Sequence, residues 1–487
     1  MVRVSVVWLV WLAVGVAVAG LCGGRASAWP TLPVRPVADA IAGPTDPHVA
    51  GIFYNPAAIG PLRGVRLWYD SSAGVQLGEI KRAAGEGAQA GQTTPITNPS
   101  VGGFVGATWD LFTDRIVIGI AVLTPATELT QFRSGSAVRY QNIWQRSAIL
   151  DEDVAVGVRI SSRFYIGASA NFGEGWTDHR FARDVAPQEG SAAIDQPSAR
   201  CGGKACGLEN PLATQGVRVH GFGWGIGFSV GALVRPIDRL WLAVSYISHL
   251  FDPFRGVDLP LNSADGVTVT QAPGSPSPGC GGACVARSRI TVLVPDVILF
   301  GVRIEATPRL EVEGQFRWVH YGGRNALDMY IQGGNIDQLK RSDPASALPA
   351  LLRIDRGWQD AYTLGGSVRI KVGEKLRLSP SLFYESSPVA LDHVSAANLE
   401  GHKLDFALTL EWKPRAHLTV GAHVGGTTWF NGEDGQVYDP RAESRCVDGN
   451  YALDVCAKHI SGSALSSAAG RYTMGALHAG FALGMDY

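Results

Sequence analysis

Cysteines are the residues here whose spacing most directly suggests chemistry. Six of the seven fall into three local pairs, Cys201/Cys206, Cys280/Cys284 and Cys446/Cys456. Two pairs close Gly-rich loops, Cys201-Gly-Gly-Lys-Ala-Cys206 and Cys280-Gly-Gly-Ala-Cys284, and the third lies in a polar stretch. Local disulfides are the favoured reading in an oxidising compartment. Metal binding, the alternative, would want histidine or further cysteine at tight spacing. Gly227-Phe228-Ser229-Val230-Gly231 fits the G-x-S-x-G pattern. A nucleophile elbow needs a strand, a sharp turn and a helix. Here Phe222, Trp224, Ile226, Phe228 and Val230 alternate with small residues, which puts Ser229 in mid-strand. Ser387 and His393 are the nearest serine–histidine pair in sequence, and nothing else supports them. No catalytic residue, metal or cofactor is expected.

The compartment follows from the N-terminus. Arg3 precedes an apolar run from Val4 to Leu21, and Ala26-Ser27-Ala28 forms a small-residue cleavage site before Trp29. Residues 1–28 therefore read as a secretory signal peptide rather than a retained anchor. Leu21 before Cys22 argues against a lipoprotein signal. Beyond residue 28 no apolar run reaches the ~20 residues that a spanning helix needs. The net charge of -1 implies no nucleic acid partner. Sixty glycines, 13 tryptophans and a charged fraction of only 17% suit an exported β-protein.

Those tryptophans and glycines belong to alternating segments. Fourteen are countable from residue 64 onward: 65–77, 101–112, 115–132, 146–161, 163–181, 216–235, 239–258, 288–305, 309–331, 357–373, 375–389, 402–413, 416–431 and 470–487. Tight turns, such as Thr113-Asp114, Ser161-Ser162, Thr307-Pro308 and Gly373-Glu374, alternate with long Gly/Pro-rich connections that hold all six paired cysteines. Short turns at one end and long loops at the other are the layout of an outer-membrane barrel. An even strand count leaves no open edge, which hydrocarbon does not tolerate. In 402–413, Leu404, Phe406, Leu408, Leu410 and Trp412 alternate with Lys403, Asp405, Ala407, Thr409 and Glu411. A cation facing lipid at the bilayer midplane costs ~2–4 kcal/mol. Lys403, Arg317, Arg369 and Arg377 are therefore expected to face the lumen. The last segment alternates without a break from Thr473 to Tyr487, and Tyr487 is expected to serve barrel assembly. The fold class is all-β: a 14-stranded antiparallel transmembrane barrel, residues 64–487.

Residues 29–63 are different. Pro30, Pro33, Pro36, Pro44, Pro47, Pro56 and Pro61 break any ladder. They form a compact, partly apolar cap ahead of the first strand.

Four patches give the chain a resemblance to a known family. They are Tyr54-Asn55-Pro56-Ala57-Ala58; Gly119-Ile120-Ala121 through Thr127-Glu128; Val294-Pro295-Asp296 with Gly301-Val302-Arg303 and Thr307-Pro308; and Gly357-Trp358-Gln359-Asp360-Ala361-Tyr362 with Tyr384-Glu385-Ser386-Ser387-Pro388-Val389. In this order they resemble the FadL/TodX long-chain fatty-acid and hydrocarbon transporters of Gram-negative outer membranes. The cysteine-bearing loops and the Pro-rich stretch depart from the pattern. The resemblance implies that residues 29–63 are a hatch inside the lumen, with Asn55, Pro56 and Ala57 as its gating motif. It also implies a lateral exit at a kink in the third strand, here Leu123, Thr124 and Pro125; a proline near the strand end with no gate is the plainer reading. Arg180 matches in context an arginine that would meet a carboxylate head group, or is a solvated arginine at a loop base. Gly221, Gly223, Gly225 and Gly227 recur every second residue, which suits a smooth lumen face or room for the hatch rather than a phosphate cradle.

The expected function is passive transport of hydrophobic small molecules, most of all long-chain fatty acids, along an apolar path. An acyl chain gains about 0.8 kcal/mol per methylene on leaving water, so it needs a groove rather than a water-filled hole. Aromatic or alkane hydrocarbon uptake, an outer-membrane lipid hydrolase and an adhesin-type barrel are the alternatives. Expected partners are fatty acids or hydrocarbons, outer-membrane lipid and the barrel-assembly machinery.

Overall fold

The structure is a computed structural model. It describes residues 26–27, 43–83, 90–185, 196–207, 209–270, 272–274, 280, 283–321, 326–344, 347–355, 357–390, 393–430 and 470–487. The longer strands are, in chain order, β1 (Val65–Arg82), β2 (Thr93–Trp109), β3 (Ile116–Gln131), β4 (Trp144–Ser161), β5 (Phe164–Asp184), β6 (Thr214–Ile237), β7 (Leu240–Ile247), β8 (Val257–Thr270), β9 (Ala283–Val292), β10 (Asp296–Thr307), β11 (Leu310–His320), β12 (Ala326–Gln332), β13 (Leu351–Asp355), β14 (Ala361–Val372), β15 (Leu376–Glu385), β16 (His402–Arg415), β17 (Leu418–Phe430) and β18 (Gly470–Asp486).

Fourteen of them close a ring. Antiparallel ladders run from β1 through β7, then to β10, β11 and β14–β18. The last ladder, from Arg66↔Asp486 to Arg82↔Gly470, joins β18 back to β1. The period-two pattern sets which side of the wall each residue takes. Outward-facing Ile118, Val154, Phe228, Phe300, Leu364, Leu382, Phe406, Leu408, Val424 and Leu477 are all exposed. Apolar exposure on this scale, repeated around a ring, is a lipid-facing belt. The inward side carries charges. Arg369 is 2% exposed and Lys403 5%. Arg317 and Arg377 reach Glu385 at 3.2 Å and Glu411 at 3.1 Å.

Three expected strands are each broken in two. Segment 239–258 ends as a wall strand at Ile247, where Ser248 N–H donates to Phe228 O (2.8 Å), and the chain leaves the ring. Segment 288–305 is interrupted at Leu293-Val294-Pro295, since proline has no N–H for the ladder. Segment 309–331 is wall only to His320. The detached pieces β8, β9 and β12 and the further short strand β13 pair in that order, and β8 pairs with the upper half of β6. They make an annex on the long-loop side. Its Leu259, Leu261, Ile290 and Met329 are buried together with Val217 and Val219 of β6.

Candidate functional site

Residues 43–62 lie inside the ring. Gly51–Tyr54 forms one helical turn (α1) and Pro56–Ile59 a 3-10 turn. Val49, Ile52, Tyr54, Ile59 and Leu62 pack against Phe104, Val117, Leu123 and Leu299 of the wall. The two turns are separated by Asn55, whose extended backbone fits the residue before a proline. Its side chain makes three connections. Oδ1 accepts from Ala57 N (3.1 Å), and Nδ2 donates to Pro44 O (2.9 Å) and to Ala232 O on β6 (3.3 Å). Ser245 of β7 also donates through its hydroxyl to Tyr54 O (2.5 Å). The wall admits this segment only because glycine stands opposite it. A Cβ on Gly167 would lie 2.2 Å from the Pro56 carbonyl carbon, and one on Gly231 2.0 Å from Asn55 Oδ1. Ala57 and Ala58 are fully buried beside Tyr165 and Trp241.

The opposite flank of the inner segment is ionic. Asp46 meets Arg303 (2.8 Å) and Arg369 (3.4 Å). Arg369 pairs with Glu313 (2.6 Å), and Thr45 donates to the same carboxylate through its hydroxyl. Glu311 lies 3.0 Å from Lys371 and 3.7 Å from both Arg303 and Arg369. Sequence reasoning expected Arg369 and Arg377 in the lumen but passed over Asp46. Its only signal was an acid within a Pro-rich segment that has to face the Arg-bearing strands.

The wall itself is incomplete in one place. β2 and β3 pair only from Phe104↔Leu123 to Trp109↔Ile118. Above that, among the described residues, no ladder joins 93–103 to 124–131. β2 stays paired with β1 along its whole length, and β3 with β4. The β3–β4 register shifts between Leu123 and Ala126, at Thr124-Pro125. A proline and an extra residue at this point bend β3 away from β2. Two side-chain contacts bridge the opening: Gly103 N–H donates to Thr124 Oγ1 (3.0 Å), and Asn98 Nδ2 to Thr130 Oγ1 (3.5 Å). The two-residue strand Ala26–Ser27 pairs with Thr127 and Glu128 on this side of β3.

Above the inner segment is an apolar cavity. Val219, Leu259, Leu261, Ile290, Val292, Leu327, Met329 and Trp358 line most of it. Gln145, Ser147, Thr177 and His179 give it one polar edge. An elongated molecule with an apolar body and a polar end matches that lining.

The remaining expected site residues fall as follows. Arg180 does not face this cavity. Alternation turns His179 inward and Arg180 out, where it is exposed with its guanidinium 4.6 Å from the Trp144 ring. The head-group expectation for Arg180 is thereby corrected: the residue sits one step out of phase with the lumen. Cys201 is bonded to Cys206 and Cys280 to Cys284, both on the long-loop side. Cys446 and Cys456, the signal peptide up to residue 25 and residues 28–42 lie outside the described residues. Ser229 is mid-strand on β6 and buried, hydrogen-bonded to Ser169. Ser387 donates to Val389 O (2.6 Å) rather than to His393. Gly221, Gly223 and Gly225 make room for Pro260, Leu261 and Phe251, not for the inner segment. Tyr487 exchanges backbone hydrogen bonds with Val65 (2.8 and 2.9 Å), with its side chain 69% exposed.

A family model described as outer membrane protein transport protein (OMPP1/FadL/TodX) matches residues 26–465. A Pseudomonas aeruginosa FadL homologue superposes with a TM-score of 0.69 at 12% identity, covering 95% of this chain and 100% of its own. The CymD monoaromatic hydrocarbon channel gives 0.60 at 11% identity, covering 94% and 99%. The Pseudomonas putida toluene transporter TodX gives 0.60 at 10% identity, covering 90% and 93%. At such identities the likeness is one of fold. No curated protein matches the sequence directly.

Proposed function

The chain belongs to the OMPP1/FadL/TodX family of outer-membrane transport proteins, and from that premise we propose that it carries long-chain fatty acids by an apolar route that leaves sideways through the wall. Members of this family move hydrophobic molecules across the outer membrane and are not enzymes. The observation that carries the sideways route is the opening between β2 and β3. It lies directly above the apolar packing of the inner segment on Phe104 and Leu123. A hydrophobe that cannot pass the inner segment stays out of water by leaving through such a slot into hydrocarbon, and so keeps the about 0.8 kcal/mol per methylene that it gained on leaving water. Leu123, Thr124 and Pro125 form its lower margin. Cleavage after Ala28 would remove Ala26–Ser27 and widen it. The polar edge of the cavity favours an acid with a long apolar tail over a plain hydrocarbon. Aromatic or alkane uptake is the second reading, and such a substrate would bring no polar group to that edge.

Residues 29–63 act in this proposal as the hatch, with Asn55-Pro56-Ala57 fixing where it meets the wall. Asn55→Ala removes the contacts to Pro44 and Ala232 and leaves the barrel ladders intact. Losing these mostly buried hydrogen bonds costs roughly 1–3 kcal/mol, which loosens the hatch locally. The expected result is impaired uptake of oleate per folded barrel in cells lacking other fatty-acid transporters. Heat-modifiable gel mobility should be normal. Full oleate uptake would remove the gating role, and toluene uptake without oleate uptake in the native protein would favour the second reading. Tyr487 is proposed to serve assembly rather than transport. Its deletion should lower the amount of heat-modifiable barrel in the membrane while uptake per folded molecule holds.

A further inference from the structure

The outer face of β4, β5 and β6 changes character sharply at one level. Going up from the tight turns, its apolar belt ends at Trp176 and Phe222, which are 37% and 52% exposed. The next cross-strand row is Arg146, Asp178 and His220, and the one above it is Trp144, Arg180 and Arg218. Arg146 lies 5.3 Å from the Trp144 ring and 5.5 Å from the Trp176 ring, and Arg180 stacks on Trp144 from its other neighbour position. The acids here are committed elsewhere. Asp178 is held by Arg218 (2.7 Å), and Asp265 by His220 (3.2 Å). Glu174 and Glu152 share the face but lie further down, within the belt. Among the described residues neither Arg146 nor Arg180 has a carboxylate within ion-pair distance.

We propose that Arg146 and Arg180, spread on Trp144 and Trp176 at the upper edge of the belt, bind the phosphate of a phosphorylated glycolipid in the outer leaflet. Three features fit one occupant. The two arginines face away from the lumen, outside the lining of the cavity, so a transported molecule does not meet their guanidinium groups. The pad adjoins the lipid-facing apolar surface, where acyl chains of the same molecule would lie. It offers two guanidinium groups that lie against tryptophan rings, and the planar guanidinium fork matches the bidentate geometry that phosphate accepts. Each basic residue at a membrane surface contributes about 1 kcal/mol toward an anionic headgroup, a factor of about five.

The test uses the full-length folded barrel in phosphatidylcholine nanodiscs containing bisphosphorylated lipid A or the same lipid stripped of phosphate. Native mass spectrometry reads the lipid retained on the protein. The expected result is preferential retention of the phosphorylated form, reduced roughly thirtyfold in Arg146→Gln/Arg180→Gln. Arg146→Lys/Arg180→Lys should fall between, because charge remains and the planar fork does not. Equal retention of the two lipids by the native protein would overturn the proposal without any variant. So would an unchanged preference in the double glutamine protein, or full displacement of the lipid by inorganic phosphate, which would make free phosphate the occupant.

Discussion

Oxidised Asn98→Cys/Thr130→Cys protein is expected to lose fatty-acid uptake and to regain it on reduction. These side chains face each other across the opening at 3.5 Å, on β2 and β3 stretches that no ladder joins. A covalent staple there closes the slot at mid-height while leaving the paired lower part, Phe104–Trp109 against Ile118–Leu123, untouched. If the route runs sideways, uptake should fall at least about tenfold, the scale of a blocked gating step rather than of a lost contact. The same cysteines reduced, or either one alone, should transport normally. Non-reducing gel mobility reports the staple, and uptake of labelled oleate reports the route. Undiminished uptake through a fully stapled barrel would mean that substrate leaves along the lumen axis past the inner segment.

The second large effect concerns stability. Arg369 is 2% exposed and faces Asp46, Glu311 and Glu313 within 3.7 Å. Removing one partner of a buried ion cluster leaves charge uncompensated and costs about 3–5 kcal/mol. Arg369→Met should therefore lower the urea midpoint of the folded barrel strongly, although methionine fills much of the same volume. Adding Glu313→Leu deletes a stranded carboxylate and should recover part of the loss, as coupled neighbours do in a double-mutant cycle. Additive losses in the double variant would show that the two groups do not act on one another. Asp46 belongs to the inner segment, so Arg369→Met should also expose residues 43–50 to protease before the barrel itself unfolds.

Period-two alternation made the barrel legible in the sequence, because every wall strand has lipid on one side and lumen on the other. Leu404 to Trp412 against Lys403 to Glu411 needs no tertiary information to be read. The inner segment was legible by exclusion, since its prolines rule out a strand. The annex was not legible. Its residues alternate in the same way as wall residues, and only the breaks at Ser248, Pro295 and beyond His320 divert them over the lumen. Pro295 has no N–H for the ladder, but the alternation on either side of it reads as one continuous strand. Arg180 failed for a simpler reason. A register error of one residue exchanges lumen and lipid, and proximity to a loop says nothing about phase. The opening beside Thr124-Pro125 was half legible: proline announces a missing donor, but which neighbour is lost depends on the bend.

The seam between β18 and β1 has a consequence for how the molecule is made. Residue 64 is where the inner segment becomes β1, with Gly64 in the left-handed region at φ 71°. A Cβ there would strike Tyr487 O at 2.1 Å. The tether of the enclosed segment and the last chain-end contact of the ring are thus the same point. First and last strands are also the pair that meets latest if the wall zips in chain order. Under that order the enclosed residues are laid into a still-open trough, and the final ladder shuts over them as a lid shuts on a box. A ring closed beforehand would instead have to be entered by threading a folded, Pro-rich loop. The residue that clasps the seam then also fixes the moment after which the contents can no longer be exchanged.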